Sequence, residues 1–227
     1  MILLTGGSGR LGTELQKLRK FELTPTLEKL DITDRGVVRR YLQFYQPSLI
    51  VHCAAFTKVE LEPEDFLESW ETNVDGTYNL AQSGIPMLYI STEYVFDGEK
   101  GNYRESDKPH PLNFYATTKL VGEQMALRFN GKVIRLLFKP RPWPFERAYS
   151  DQWTSGDYVD VIAKEVNKAI DKFDELPLIT HIGTGRKSIY DLARQTGDVG
   201  VMSRTEVRAI LPKDTSLDTT LWDTIKV

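Results

Sequence analysis

The residues best suited to chemistry are a tyrosine and a lysine four positions apart, Tyr115 and Lys119. The segment that follows Tyr115 has helical composition, so the two side chains would share one helical face. A free phenol titrates near ~10, and an ammonium about 4 Å away lowers that pKa at an effective dielectric of roughly 20. Such a pair is a tuned general acid or base. Ser91 and Thr92 end the preceding apolar run, where a hydroxyl can hold a substrate carbonyl against the phenol.

The Tyr-x-x-x-Lys spacing is weak evidence by itself, because both residue types are common and helices place residues four apart throughout proteins. The alternative is a tyrosine packed at a helix start beside a solvated lysine. The surrounding sequence must therefore decide between the two interpretations.

A glycine-rich turn stands at the start of the chain. Gly6, Gly9 and Gly12 follow an apolar run over residues 1–5 and precede helix-forming residues 13–20. This order of strand, G-x-x-G-x-x-G turn and helix is a variant of the dinucleotide-binding fingerprint. The helix N-terminus at Arg10 and Leu11 would supply N–H donors to a pyrophosphate. The turn predicts a dinucleotide cofactor.

The region after the first helix bears on which dinucleotide binds. Residues 21–24 are predicted to be a second strand, and no acid follows them to bind the adenosine ribose hydroxyls of NAD. Arg10 can instead meet a 2′-phosphate, which favours NADP(H); NAD stays open because Arg10 is equally suited to a solvated helix position. Residues 27–30 are predicted to be a third strand, after which Asp31, beside Ile32, is free to bind an adenine amino group.

Alternating apolar runs and helical segments predict the fold. Runs at 47–55, 87–91 and 132–138 have the composition of buried parallel strands, and helices are expected at 35–46, 63–82 and 113–130. Ala54 and Ala55 leave room for a cofactor at one strand end, and the preceding His52 and Cys53 are predicted core residues. The fold class is α/β, a Rossmann-type doubly wound parallel sheet over residues 1–138. Residues 139–227 would form a small substrate-binding part, whose strand at 178–182 can return to the main sheet.

Several polar and aromatic residues are candidates for substrate contacts. Thr57 lies in a polar loop after the fourth predicted strand, and Glu93 follows Thr92. In the proline-rich segment that begins at residue 139, the candidate diphosphate ligands and base-stacking residues are Lys139, Arg141, Arg147, Trp143, Phe145 and Trp153. A proline-stiffened connector with solvated charges is an equal alternative for this segment.

Composition restricts the class of protein. A net charge of −3 and a pI near 5.7 provide no basic field for nucleic acid or an anionic membrane. A single cysteine precludes an internal disulfide and fits a reducing compartment. The N-terminus lacks a basic leader, and no apolar run reaches the length of a membrane span, so a cytoplasmic location is expected. No metal site is predicted.

Taken together, the motifs TGGSGRLG, DITD, HCAA, STEYVFDG and YATTK resemble the extended short-chain dehydrogenase/reductase superfamily. Within it, the chain resembles the dTDP-4-dehydrorhamnose reductase family. The resemblance implies that Tyr115 donates a proton, that Lys119 holds the nicotinamide ribose and lowers the tyrosine pKa, and that Thr92 binds a sugar carbonyl with Ser91 beside it. It also implies hydride transfer from a reduced nicotinamide to the 4-keto carbon of a nucleotide-linked 6-deoxy sugar, and it is compatible with a homodimer.

The sequence also departs from the family pattern. The loop after HCAAFTKVE reads LEPED, the segment after VIRLLF is KPRPWPF, and family members are usually longer in the substrate-binding part. Related dehydratases carry Thr-Asp-Glu where this chain has Thr-Glu-Tyr, so a second acid is absent and dehydration is disfavoured. A sugar epimerase of the same superfamily and a non-catalytic NADP-binding regulatory subunit remain the alternatives.

Overall fold

The computed structural model describes residues 1–227. Its strands are Ile2–Thr5 (β1), Leu49–His52 (β2), Met87–Thr92 (β3), Gly131–Leu136 (β4), Phe138–Lys139 (β5), Arg147–Tyr149 (β6), Trp153–Thr154 (β7), Asp157–Tyr158 (β8), Ile179–His181 (β9), Lys187–Ser188 (β10) and Gly200–Met202 (β11). The main sheet has the order β1-β2-β3-β4-β9, and all neighbouring strands in it are parallel. Every residue of β2 and β3 is buried, as expected of strands covered on both faces.

Helices cover both faces of this sheet. They are Arg10–Leu18 (α1), Arg35–Tyr45 (α2), Asp65–Trp70 (α3), Thr77–Ala81 (α4), Phe114–Arg128 (α5), Val159–Asp171 (α6), Ile189–Ala193 (α7) and Thr220–Ile225 (α8). On one face, α1 and α6 pack in a core with Leu4 and Val51; on the other, α2, α4 and α5 pack with Leu3 and Ile50. Side chains alternate between faces along each strand, so one sheet contributes to both cores. The predicted doubly wound architecture is confirmed.

Two predicted strands near the N-terminus are wrong: the strand at 21–24 is much shorter than predicted, and the strand at 27–30 is a turn. Only Leu23 of residues 21–24 joins the sheet, through a single bridge to Leu3, and residues 27–29 form a turn. Pro25 lacks the N–H that a ladder requires, so it ends pairing after Leu23. Leu27 is 72% exposed, whereas Leu30 is buried. Only Leu30 therefore packs in the core, and the segment is a turn rather than a strand.

The predicted helix over residues 63–82 is interrupted by a π-helical segment, Glu71–Gly76, between α3 and α4. Asn73 lies within that segment and is buried. Its amide oxygen accepts from Phe56 N at 2.9 Å, and its amide nitrogen donates to Phe56 O at 3.0 Å and to Thr118 Oγ1 at 2.9 Å. The π turn, a feature often found at functional sites, therefore ties the loop after β2 to α5.

The C-terminal residues are interleaved with the main sheet. β9 pairs with β4, whereas β5 pairs with β8, β6 with β11 and β7 with β10 in separate two-stranded sheets. The side chain of Trp222 in α8 belongs to the same core as α1 and α6. A domain boundary after residue 138 stays a prediction. None of the helices combines the length and hydropathy that a membrane span requires.

Candidate active site

One cavity of about 490 Å³ opens at the carboxyl ends of the central strands, where ligands bind in open α/β sheets. It is bounded by the glycine turn, the end of β3, the start of α5 and the chain that follows β4. Thirteen of the residues predicted to act in catalysis or binding line it: Gly6, Gly9, Arg10, Leu11, Gly12, Ala55, Thr57, Ser91, Thr92, Tyr115, Lys119, Lys139 and Phe145. The fold therefore brings the predicted cofactor turn and the predicted catalytic residues to one place.

The glycine turn is too tight for other residues. Gly6 has a φ of +69°, and a Cβ there would lie 2.5 Å from Ala54 N. At Gly12, a Cβ would lie 2.3 Å from the carbonyl oxygen of Gly6. The turn thus packs directly on the backbone that follows β2, and Ala54 acts through that contact rather than in the cavity wall.

The N-terminus of α1 is open to an anion. Gly9 is the N-cap and supplies no side-chain cap, and the first turn contains no acidic residue. The four N–H groups at a helix start have no intrahelical partner, and the helix dipole favours negative charge there. These N–H groups and the glycine cradle fit the diphosphate of a dinucleotide.

Tyr115 and Lys119 both reach the cavity from the first two turns of α5. The helix begins where predicted, because Asn113 Oδ1 accepts a hydrogen bond from Ala116 N at 2.9 Å. Lys119 Nζ donates to the carbonyl oxygen of Ile90 at 2.7 Å and lies 4.2 Å from the centre of the Tyr89 ring. The ammonium is therefore held against β3.

The pKa values of this pair differ from the expectation drawn from spacing. Burial lowers the pKa of Lys119 to about 7, against the opposing charge of Glu123. Burial also raises the pKa of Tyr115 to about 12, and hydrogen bonding to Thr92 opposes this only in part. The predicted lowering of the Tyr115 pKa is thus absent from this structure, because desolvation outweighs the hydrogen bond to Thr92.

The two hydroxyls at the end of β3 have different roles. Ser91 Oγ donates its proton to Glu123 Oε1 at 2.5 Å, so toward the cavity it can only accept. Thr92 Oγ1 accepts from Tyr94 N at 3.2 Å and hydrogen-bonds with the Tyr115 hydroxyl, and no carboxylate takes its proton. Thr92 is therefore the hydroxyl that can donate to a carbonyl oxygen.

A buried ion pair behind Ser91 was not predicted from the sequence. Arg135 of β4 donates through Nε to Glu123 Oε1 at 2.9 Å and through Nη2 to Glu123 Oε2 at 2.7 Å. Both side chains are almost fully buried, so the bidentate pair is rigid and fixes the Ser91 hydroxyl. The available signal was the position of Glu123, four residues after Lys119 on the same helical face.

Glu93, a predicted substrate contact, lies outside the cavity wall. Its side chain is fully buried, and its Oε1 accepts a hydrogen bond from Thr215 Oγ1 at 2.7 Å. Burial raises the pKa of Glu93 to about 7. The structure therefore gives this carboxyl an internal partner, which joins the catalytic strand β3 to the segment around Thr215.

Replacing Glu93 with glutamine is expected to stabilise the protein at pH 8 and to change its stability little below pH 4.5. The folded state binds the Glu93 proton more tightly than the unfolded chain, so stability is full below about 4.5 and is lost as pH rises through about 7. The gain at pH 8 should be on the order of 2 kcal/mol. Urea unfolding of both proteins at several pH values measures it, and an equal difference at every pH would contradict this origin.

The two arginines predicted to bind a diphosphate are engaged elsewhere. Arg141 pairs with Asp160 at 3.0 Å, and Arg147 pairs with Glu206 at 2.7 Å. Neither lines the cavity. Lys139 is the cation of this segment that does.

Of the three aromatic residues predicted to stack on a base, one lines the cavity and two do not. Phe145 lines the cavity and is 59% exposed. Trp143 lies outside the wall and donates its indole N–H to the carbonyl oxygen of Arg147 at 3.3 Å. Trp153 lies under the guanidinium of Arg186, 3.9 Å from its ring centre. Phe145 is thus the aromatic residue of this segment placed to cover a ligand.

The residues assigned to adenine lie outside this cavity as well. Asp31 Oδ1 accepts from Thr33 N at 2.9 Å and from Thr33 Oγ1 at 2.7 Å, and Ile32 is buried. Of the two predicted core residues at the end of β2, His52 is buried between Thr5 and Thr77 as expected, and Cys53 directly follows the strand. Cys53 is half-buried and lines the cavity, where burial raises its pKa to about 12.

Residues 1–138 match the family described as the RmlD substrate binding domain. This match covers more than half of the chain. The chain belongs to the dTDP-4-dehydrorhamnose reductase family of short-chain dehydrogenase/reductases. The five-stranded parallel sheet and the cavity at its carboxyl edge agree with this membership.

Known members of the family differ in what they do. A dTDP-4-dehydrorhamnose reductase of Aggregatibacter actinomycetemcomitans is 31% identical over 188 residues, which are 78% of this chain and 60% of the relative. Methionine adenosyltransferase 2 subunit beta of Bos taurus is 35% identical over 146 residues, or 57% of this chain and 43% of the relative. The chain thus spans less than two thirds of the curated relatives that it matches.

Solved structures of this reductase family share the fold across nearly the whole chain. The dTDP-4-dehydrorhamnose reductase of Bacillus anthracis, solved in complex with NADP, superposes with a TM-score of 0.85 at 26% identity and covers 98% of this chain and 92% of its own. The corresponding protein of Clostridium acetobutylicum gives 0.86 at 27% identity, with 98% and 91% covered. The C-terminal residues of this chain therefore follow the architecture of these neighbours.

Proposed function

We propose that this chain is an NADP(H)-dependent reductase of a nucleotide-linked 4-keto-6-deoxy sugar, as in dTDP-4-dehydrorhamnose reductases. The observation that carries the proposal is the convergence of Thr92, Tyr115 and Lys119 with the glycine turn in one cavity. The relatives named as this reductase support the substrate class.

The charge of the cavity wall fits anionic ligands. Its 21 residues include three cations, Arg10, Lys119 and Lys139, and no aspartate or glutamate. A dinucleotide and a nucleotide sugar both carry diphosphates, so both are complementary to this wall.

The side chains have distinct roles in the proposed reaction. A bound dihydronicotinamide supplies the hydride. Thr92 donates a hydrogen bond to the ketone oxygen, and Tyr115 delivers the proton to the oxygen as its negative charge develops. Lys119 holds the ribose, and its positive charge favours the ionised phenol that remains after transfer. Ser91, fixed by Glu123, accepts a hydrogen bond from a hydroxyl or amide of the cofactor.

NADP is the cofactor we favour. The reductase of Bacillus anthracis, which shares this fold, was solved with NADP, and no acid lies at the end of residues 21–24 to bind the free ribose hydroxyls of NAD. NAD remains a second possibility, since a structure with the same fold was solved with NAD.

The test is to offer the purified protein NADPH together with a dTDP-linked 4-keto-6-deoxy sugar. Sugar-dependent oxidation of NADPH, with formation of the 4-hydroxy sugar, is expected. A matched reaction with the 4-hydroxy sugar in place of the ketone controls for spontaneous oxidation. NADPH oxidation that does not depend on the ketone would contradict the proposed activity.

A non-catalytic subunit is the second candidate, and two observations favour it. Methionine adenosyltransferase 2 subunit beta is 35% identical to a large part of this chain, and the phenol of Tyr115 has a raised pKa. Tight NADPH binding without sugar reduction, combined with co-elution with a methionine adenosyltransferase, would support this function instead.

We also propose a cytoplasmic homodimer. The single cysteine forms no disulfide, which suits a reducing compartment.

Phe66, Leu67 and Trp70 of α3 are exposed, and Phe66 packs against Phe114 of α5 with ring centres 4.8 Å apart. This apolar face is the surface that a second copy would cover.

A further inference from the structure

Arg10 and Lys139 are two cations of the cavity wall that the proposed proton transfer does not use. Arg10 is the first residue of α1, directly after the glycine turn. Lys139 ends β5, where parallel pairing with Tyr158 of β8 holds its backbone. Both side chains therefore project from regular structure, although 129 positions separate them in the sequence.

Neither side chain forms an ion pair within the protein, which distinguishes Arg10 from half of the arginines of the chain. Carboxylates pair with Arg19, Arg104, Arg135, Arg141, Arg147, Arg186 and Arg208. The charged groups that act on Lys139 are the carboxyl of Glu93, which lies behind the wall, and the guanidinium of Arg10. The two cations thus face one cavity and repel each other.

Such an arrangement is unfavourable unless an anion lies between the two groups. Burial lowers the pKa of Lys139 most, the carboxyl of Glu93 opposes this, and the charge of Arg10 lowers the pKa further. No carboxylate of the wall offsets the repulsion. Glu93 is a poor counter-ion, because burial raises its pKa to about 7 and its Oε1 is bonded to Thr215. An anionic ligand would remove the repulsion, and the uncapped N-terminus of α1 would add N–H donors to it.

We infer that Arg10 and Lys139 together hold one diphosphate group, which they clamp from two separate parts of the chain. The inference rests on the proposed function, because it takes this cavity as the site of a dinucleotide and a nucleotide sugar. A diphosphate has two adjacent anionic groups, so each cation can bind one of them. Both ligands carry this group, and either can supply it.

The inference changes the ligand assigned to Arg10. The sequence suggested a 2′-phosphate, which belongs to the adenosine end of the cofactor. Arg10, however, shares its cavity with Tyr115 and Lys119, whereas Thr24 and Asp31 at the expected adenosine end do not line it. Arg10 is therefore placed away from the adenosine end, near the diphosphate that links the two halves of the cofactor.

The experiment measures binding by calorimetry, without turnover, for three probes: NADPH, NADH and dTDP. Lys139→Met removes the ammonium and keeps the aliphatic chain, and Arg10→Met does the same for the guanidinium. Each change should weaken binding of the probe whose diphosphate is clamped by about 10- to 100-fold. Lys139→Arg should retain most of the affinity, which also separates loss of charge from loss of folding. Lys164→Met removes an equal charge from the exposed face of α6 and should have no effect.

Each outcome has a defined meaning. An equal loss for NADPH and NADH assigns the clamp to the dinucleotide, and a loss for dTDP assigns it to the nucleotide sugar. A loss for NADPH alone would show a 2′-phosphate contact and overturn the inference. Strictly additive effects in the double variant, which combines Arg10→Met with Lys139→Met, would also overturn the inference. Cations that share one diphosphate should be coupled. If the unaltered protein binds none of the probes, the proposed function fails; if it binds them and Lys139→Met changes nothing, only the clamp fails.

Discussion

Tyr115→Phe is expected to lower the turnover of a 4-keto sugar by about 10²- to 10⁴-fold, the usual contribution of a positioned general acid. The phenyl ring fills nearly the same volume, so folding should be retained. Cofactor affinity should also be retained, because the proposed diphosphate contacts come from the glycine turn and the N-terminus of α1 and not from the phenol oxygen. Steady-state kinetics together with NADPH titration separate these two effects.

Tyr190→Phe is the matched control for this change. Tyr190 lies in α7 outside the cavity wall, so loss of its hydroxyl should leave turnover unchanged. Near-normal sugar reduction by Tyr115→Phe would show that another group donates the proton. Thr92 would then be the next residue to test, since its hydroxyl lines the same cavity and hydrogen-bonds with Tyr115.

Lys119→Met is expected to lower turnover by about 10²-fold or more and to weaken dinucleotide binding by about 10-fold. The variant loses both the ribose contact and the positive charge beside Tyr115. The pH profile should change as well. The pKa of Lys119 is about 7, so the ammonium is present below that pH and is lost as pH rises through it. The kcat/KM of the unaltered protein should therefore fall above pH 7, and this limb should be absent from the variant.

Lys132→Met provides the matched comparison for Lys119→Met. Lys132 also donates to a backbone carbonyl, that of Phe173 at 2.7 Å. It lies at the start of β4, whereas the cavity lies at the carboxyl end of that strand. Its replacement should leave both affinity and the pH profile intact. An unchanged alkaline limb in Lys119→Met would assign the titration to another group.

The features that the sequence predicted best are the strands of the main sheet and the glycine turn that follows β1. The runs that became β2, β3 and β4 are rich in apolar residues, and burial on both faces of a parallel sheet favours that pattern. The glycines at 6 and 12 are set by steric limits that no other residue meets. The start of the helix predicted at 113–130 was recognisable because capping, here by Asn113, depends on a few neighbouring residues. The false strand at 27–30 shows the limit of that approach, since short apolar pairs also anchor turns.

The sequence by itself determined the family, the α/β class and the Tyr115–Lys119 pair, because each depends on spacing within one segment or on the order of motifs. Only the tertiary structure decided which cations reach the cavity. Arg141 and Arg147 are captured by acids distant in sequence, whereas Lys139 is not. Tertiary packing also decided the electrostatics: burial, which no local pattern encodes, raised the pKa of Tyr115 and lowered that of Lys119. The Ser91 hydroxyl became an acceptor because Arg135, from a different strand, fixed Glu123 beside it.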